Sequence, residues 1–87
     1  MHTVDVLEIA LRFCERLGYR IRQEYLGEVA GGCCLVRGQK WLFLDLSQNA
    51  HEQLALVLDV LRKDPSLPQF APPRCLRGLL NQRTATA

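Results

Sequence analysis

Residues 33–46, CCLVRGQKWLFLDL, decide the fold, because this stretch reads as a β-hairpin that is apolar on both faces. Gly38 and Gln39 lie between two apolar runs and suit a two-residue turn with glycine at its first central position. That turn predicts the cross-strand pairs Arg37/Lys40, Val36/Trp41, Leu35/Leu42, Cys34/Phe43 and Cys33/Leu44.

Side chains alternate along a strand, so the two faces of the hairpin carry different residues. The leucine face consists of Cys33, Leu35, Leu42, Leu44 and Leu46. The aromatic face consists of Cys34, Val36, Trp41 and Phe43, with Asp45 at its end. We expect the leucine face to receive the long helices of the fold. The aromatic face then needs a cover of its own, because burying each of its three large apolar side chains is worth about 1.5–3 kcal/mol.

The segment before the hairpin predicts a helix over residues 4–17 and a strand over residues 19–25. Thr3 is the expected N-cap, and Gly18 suits the position just after the helix. The strand alternates Tyr19, Ile21 and Tyr25 with Arg20, Arg22 and Glu24. Residues 26–32 contain three glycines and are predicted to be a connector.

The segment after the hairpin predicts a second helix over residues 50–63. Asn49 and Glu52 have the spacing of a capping box, and Asp59 and Lys63 are placed to pair on the solvent side. Four prolines within residues 64–73 predict an irregular segment. A short third helix follows over residues 74–82, with Leu76, Leu79 and Leu80 on one face.

The element order is therefore α-β-β-β-α-α, which places the chain in the α+β class. We predict a three-stranded antiparallel sheet with two main helices on one face and a short C-terminal helix. Residues 1–82 form a single small domain in this interpretation, and residues 83–87 form a flexible tail. A chain of 87 residues buries little more than ~60% of its unfolded surface, so its stability margin is narrow.

Three covers for the aromatic face are open. Apolar side chains of the C-terminal segment can fold over it, and these are Leu67, Phe70, Leu76, Leu79 and Leu80. Alternatively, a second copy of the chain or a different protein occupies it, since contiguous exposed apolar patches mark interfaces. From the last two covers we predict a non-enzymatic interaction domain, a homodimer in the simplest case.

Single-stranded nucleic acid is the alternative ligand for the same face. Trp41 and Phe43 would stack on bases while Arg20 and Arg22 hold phosphates. This hypothesis requires the arginine side of the first strand to coincide with the aromatic face. The net charge of +2 argues against it, because eleven basic and nine acidic residues nearly balance.

The remaining composition is that of an ordinary globular protein, with 48% apolar and 23% charged residues. No apolar run approaches the ~20 residues that a membrane-spanning helix needs. Asp5 and Glu8 lie where a signal peptide would carry basic residues, so we expect a cytoplasmic location. The four cysteines are then expected to be reduced and buried.

His51 and Glu52 open the second helix in the way that the His-Glu-x-x-His motif of zinc peptidases begins. The second ligand position holds Ala55, so no metal or other cofactor is predicted. A leading helix, a strand, a glycine-containing hairpin and a helix starting at His-Glu resemble the N-terminal part of ImmA/IrrE-type metallopeptidases. Since the motif is incomplete, the resemblance implies a shared scaffold without peptidase activity.

The segment Gly31-Gly32-Cys33-Cys34 is also similar to that of short bacterial α+β proteins with Gly-Gly-x-Cys before such a hairpin. No activity follows from that resemblance. Adjacent cysteines in a strand point to opposite faces, so Cys33 and Cys34 are not placed to share a metal or a relaxed disulfide.

Overall fold

A computed structural model describes residues 2–25 and 31–81 of the chain. The elements in chain order are α1 (Thr3–Arg16), β1 (Tyr19–Glu24), β2 (Gly32–Val36), β3 (Gln39–Asp45), α2 (Ala50–Lys63), a 3₁₀ turn (Leu67–Gln69) and α3 (Arg74–Asn81). The predicted α+β class, with three strands and three α-helices, is confirmed. Most of the predicted connector, the last residue of the predicted third helix and the predicted tail fall on residues 26–30 and 82–87, outside the described residues.

The sheet is mixed, so the prediction of a purely antiparallel sheet is wrong. The strand order is β1-β3-β2, with β3 parallel to β1 and antiparallel to β2. An antiparallel meander would have put β2 in the middle. Instead β3 is the central strand and is hydrogen-bonded to a neighbouring strand on each side. Its side chains Leu42 and Leu44, on the leucine face, are completely buried. Because β1 and β2 are two strand spacings apart, roughly 10 Å, the residues between them are ample to join them.

The hairpin turn lies one residue earlier than predicted. Arg37 and Gly38 are its central residues, and both have positive φ, 52° and 80°. Positive φ at both central positions is the type I′ arrangement, whose twist matches that of the flanking strands. The resulting pairs are Val36/Gln39, Leu35/Lys40, Cys34/Trp41, Cys33/Leu42 and Gly32/Phe43. Each partner on β3 is thus two residues from the predicted one, and an even shift leaves the side chains of both strands on their predicted faces. Leu46, predicted on the leucine face, lies beyond the end of β3 and is 40% exposed.

The core lies between the leucine face and the helices. Leu42 and Leu44 are completely buried there, beside Tyr19 of β1. Helix α1 contributes Leu7, Ala10, Phe13 and Cys14, α2 contributes Val57, Leu58, Val60 and Leu61, and α3 contributes Leu76. Helices α1 and α2 contact each other as well as the sheet, and α3 contacts both. The two predicted main helices therefore share one face of the sheet.

The predicted helix ends are confirmed for α2 and largely for α1. Asn49 Oδ1 accepts from the backbone N–H of Glu52 at 2.9 Å, and Glu52 Oε1 accepts from that of Asn49 at 3.0 Å. Asp59 and Lys63 form the predicted ion pair at 3.1 Å. Gly18 follows α1 with a φ of 102°. The N-cap of α1 is His2 and not Thr3, because the helix begins one residue earlier than predicted.

Strand β2 corrects two further expectations. Leu35 belongs to the leucine face but remains 68% exposed, and Cys33 and Cys34 are exposed thiols, not buried ones. The reason is the strand order, since β2 is an edge strand beyond the part of the face on which the core forms. Cys14 is buried and Cys75 is partly buried, and all four cysteines are free. Within the described residues, none of the helices has the length and apolar character needed to cross a membrane.

Candidate interaction surface

The structure brings the four residues of the predicted interaction face together on one side of the sheet. Trp41 and Phe43 lie two positions apart on β3, with ring centroids 6.0 Å apart and ring planes inclined by 15°. Cys34 lies opposite Trp41 on β2, and Val36 follows two residues later on the same face. Cys34 is exposed, Val36 is 48% exposed, and the two rings are partly buried. The result is a continuous apolar strip across β2 and β3.

The parallel register places the arginines of β1 next to this strip. Arg20 is paired with Trp41 and Arg22 with Phe43, so both arginines lie on the aromatic face. The Cζ atom of Arg20 lies 5.8 Å from the centre of the Trp41 ring, within the range of a cation–π contact. The geometric condition of the nucleic-acid hypothesis is therefore met.

Acidic side chains reduce the positive charge of this region. Arg22 Nε donates a hydrogen bond to Glu24 Oε2 at 2.8 Å, and both side chains are about half exposed. Asp45, at the end of the aromatic face, is buried and accepts from the N–H and the hydroxyl of Ser47 at 2.9 and 2.8 Å. Glu24 thus offsets the charge of Arg22, while the guanidinium of Arg20 lies against the Trp41 ring.

The C-terminal segment packs on the other side of the molecule. Leu76 is completely buried in the core, and Leu67, Phe70, Leu79 and Leu80 pack against that same core. Arg62 of α2 donates to the carbonyl oxygens of Leu79 and Leu80 at 2.7 and 3.3 Å, which holds α3 against α2. None of the four aromatic-face residues belongs to this core or its partly buried rim. In the described part of the chain, the first of the three possible covers is thus not formed.

A buried polar cluster on the leucine face was not predicted from the sequence. Asp64, just after α2, accepts from the Tyr19 hydroxyl at 2.5 Å and from Lys40 Nζ at 3.1 Å. Its other oxygen accepts from the Ser66 backbone N–H at 2.7 Å. Lys40 Nζ also lies 4.5 Å from the centre of the Tyr19 ring. The cluster joins β1 and β3 to the end of α2. Three residues this far apart in the chain carry no common motif, so no sequence signal pointed to it.

The electrostatics of the cluster follow from its hydrogen bonds. Burial alone would raise the pKa of Asp64, but the hydrogen bonds from Tyr19, Ser66 and Lys40 outweigh burial and lower that pKa below its ordinary value. Burial, and then the hydrogen bond to Asp64, raise the pKa of Tyr19, so its hydroxyl remains a donor. Burial and the nearby charge of Asp64 raise the pKa of Cys14 to about 12, which makes this thiol unreactive.

An open cavity of about 500 Å³ lies beside this cluster, between β2 and α2. Cys33 and Gly32 form its sheet side, and Leu56 and Val60 form its helix side. Charged groups at the cavity are already paired, Lys40 with Asp64 and Lys63 with Asp59. The cavity therefore presents apolar surface from β2 and α2 together with two ion pairs.

The incomplete metal motif lies at the exposed start of α2. His51 Nε2 is 3.4 Å from the hydroxyl of Thr3, and His51 and Glu52 are both exposed. Over residues 2–25 and 31–81, no three or more His, Cys, Asp or Glu side chains are grouped so as to hold a metal ion.

Neither a protein-family model, nor a curated protein, nor a solved structure matches the chain.

Proposed function

We propose that the protein works by association and not by catalysis, and that the aromatic face is the surface through which it associates. A second copy of the chain is the simplest partner, and a different protein is the alternative. The observation that carries this proposal is the apolar strip of Val36, Trp41 and Phe43, which does not pack against the described core.

The energetics support an occupied surface. Each large apolar side chain moved fully out of water is worth about 1.5–3 kcal/mol, and the net stability of a small domain is only about 5–15 kcal/mol. Covering the exposed valine and the two partly exposed aromatic rings of this face would therefore contribute a free energy that is appreciable on this scale. Aromatic side chains such as Trp and Phe are also enriched at protein interfaces.

A substitution on the face tests the proposal through the molecular mass in solution. Val36→Glu places a carboxylate on the strip, and Val36 is exposed enough that the fold tolerates it. Burying that charge in an interface costs at least about 2 kcal/mol, which weakens association roughly thirty-fold. We expect light scattering to give wild type at least twice the mass of one chain, and Val36→Glu a lower mass than wild type at the same concentration.

Val4→Glu is the matched control, because Val4 is 56% exposed and lies on α1, which packs on the leucine face and not on the aromatic face. It makes the same chemical change and should leave the mass of the assembly unaltered. Iodide quenching of Trp41, the only tryptophan, should be weak in wild type and stronger in Val36→Glu. A wild-type mass of one chain at all concentrations, with a readily quenched Trp41, contradicts the homodimer and leaves a different protein as partner.

Single-stranded nucleic acid is the second candidate, favoured by the placement of Arg20 and Arg22 beside the rings. The Arg22–Glu24 pair and the small net charge weigh against it. Titration with mixed oligonucleotides at low salt should quench Trp41 fluorescence if bases stack on the ring. Arg20→Gln should then weaken binding, while Arg12→Gln, on α1, should have little effect. An absence of quenching in low salt eliminates this candidate.

A further inference from the structure

Strand β2 leaves one edge of the sheet open. It is the last strand in the order β1-β3-β2, and among the described strands it pairs with β3 alone. The outer side of such a strand presents a row of backbone N–H and C=O groups that another strand can use. These backbone groups therefore suit pairing with another segment in an extended conformation.

None of the usual devices that block edge pairing is present in Gly32–Val36. The strand has no proline, no lysine and no other charged residue. Cys33, Cys34 and Leu35 are exposed, and so is Val36, so neither side of the edge is shielded by the described residues. An exposed apolar edge of this kind is prone to pair with another chain.

We infer that β2 pairs antiparallel with β2 of a second copy, about a two-fold axis at Cys34. In that register Cys34 meets Cys34 of the second copy, Cys33 meets Leu35, and Gly32 meets Val36. The two sheets join into one sheet of six strands. The contact is isologous, because each residue pair occurs twice by symmetry.

Two observations favour a second copy in this register. Leu35 is 68% exposed on the leucine face, and the cavity between β2 and α2 is bounded by Cys33 and Leu56. Pairing Cys33 with Leu35 of the second copy sets that exposed leucine at the mouth of the cavity. The same register puts Arg37 opposite Gly31, so the two copies of Arg37 do not face each other.

This inference goes beyond the proposed function, since the contact is made by the backbone edge of β2 and by Leu35 at the cavity, and not by the rings of Trp41 and Phe43. It predicts which cysteine can bridge two copies. Opposite residues of an antiparallel pair have Cα atoms about 4.5–5.5 Å apart, which suits a disulfide between two Cys34 residues. Two Cys33 residues would be about 8 Å apart, diagonally across the pair, and too distant to bridge.

Mild oxidation with diamide, which accepts the two electrons and two protons released by a pair of thiols, tests this register. The Cys34 protein carries Cys33→Ser and Cys75→Ser, and the Cys33 protein carries Cys34→Ser and Cys75→Ser. Cys33 and Cys34 are both exposed, so random collisions affect the two proteins alike, while Cys14 stays buried in both. We expect a disulfide-linked dimer from the Cys34 protein and its loss in the Cys33 protein.

Adding Leu35→Glu to the Cys34 protein should abolish the cross-linked dimer, because the register places that carboxylate against the apolar surface of Cys33 and Leu56, where burying a charge is costly. Adding Val36→Glu should leave it in place, because Val36 meets only Gly32 of the second copy in this register. Loss of the cross-link in Val36→Glu would instead assign it to the aromatic face, to which Cys34 also belongs, and would overturn the edge pairing. Equal cross-linking of the Cys34 and Cys33 proteins, or none in either, overturns the edge pairing even where Val36→Glu still lowers the mass. Cross-linking at Cys34 with a mass insensitive to Val36→Glu overturns the aromatic-face proposal alone.

Discussion

Asp64 shows how much one buried side chain can connect. Its carboxylate is only 1% exposed, and it accepts hydrogen bonds from Tyr19, Lys40 and the backbone of Ser66. A buried carboxylate without these donors would be costly, whereas with them it joins three separate segments of the chain. The folded-state pKa is lowered from the ordinary value of 3.8, so the cluster contributes stability that depends on pH.

Tyr19→Phe tests that contribution. Because the folded pKa of Asp64 lies below its unfolded value, the stabilisation is complete above that unfolded value and is lost as the pH falls through the folded one. Removing the Tyr19 hydroxyl should lower the free energy of unfolding by about 1 kcal/mol at pH 7. The difference from wild type should shrink as the pH falls below the ordinary value of 3.8 and Asp64 becomes protonated in both proteins. Urea unfolding at a series of pH values measures it.

Tyr25→Phe is the control for that experiment, because Tyr25 is 78% exposed. It removes the same hydroxyl and should change the free energy of unfolding by less than about 0.5 kcal/mol. A loss in Tyr19→Phe that stays constant down to the acid limit would show that Asp64 is not the group on which the hydroxyl acts.

The β2–β3 turn is the element whose details depend most on backbone sterics. Arg37 occupies the left-handed region with a φ of 52°, which side chains other than glycine and asparagine adopt at a cost. Gly38 takes the second central position at 80° without that cost. The sequence pattern predicts the position of the turn to within one residue. It assigns Gly38 to the first central position of the turn, because glycine suits that position in both the type I′ and the type II′ turn.

Arg37→Asn should stabilise the protein. Asn-Gly is the preferred pair for a type I′ turn, so the variant should raise the free energy of unfolding by about 0.5 kcal/mol. Arg37→Ala is the matched comparison, since alanine keeps the cost of a positive φ while it also removes the arginine side chain. Chemical denaturation of the three proteins measures the effect. Equal stabilities for the Asn and Ala variants would contradict the turn geometry.

The elements themselves were largely predictable, for reasons that differ among them. Helix α2 was located by its apolar spacing and by the Asn49–Glu52 capping box, both of which are local. The two faces of the hairpin were assigned by the period of two along a strand, so they survived a turn misplaced by one residue. The exposure of Cys33, Cys34 and Leu35 was not predictable in the same way, because alternation gives a side chain's face but not whether that face is covered.

At the scale of the whole molecule, the strand order has the largest consequences. With β3 in the centre, the parallel pairing with β1 brings Arg20 and Arg22 beside Trp41 and Phe43. The same order leaves β2 at the edge, with apolar side chains exposed on both faces. Both surfaces proposed for association, the aromatic face and the β2 edge, therefore result from one topological choice.

The residues that form the candidate site were predictable, but whether the C-terminal segment covers them was not. Cys34, Val36, Trp41 and Phe43 were grouped from alternation alone, and the structure places them together. Whether the C-terminal segment covers them depends on whether Leu76 and its neighbours pack more favourably on the aromatic face or on the helices. In the described residues that contact is with α1 and α2, since a helix with one apolar face can pack there without a sheet.

The sequence by itself determined the helices, the strands and the side of the sheet to which each side chain points, because these follow from periodicities of 3.6 and 2 residues and from local capping. Only the tertiary structure decided the neighbours of each strand, the burial of Asp64 and the face on which α3 packs. Those outcomes depend on contacts between residues far apart in the chain, where several pairings satisfy the same local pattern and the best-packed one is adopted.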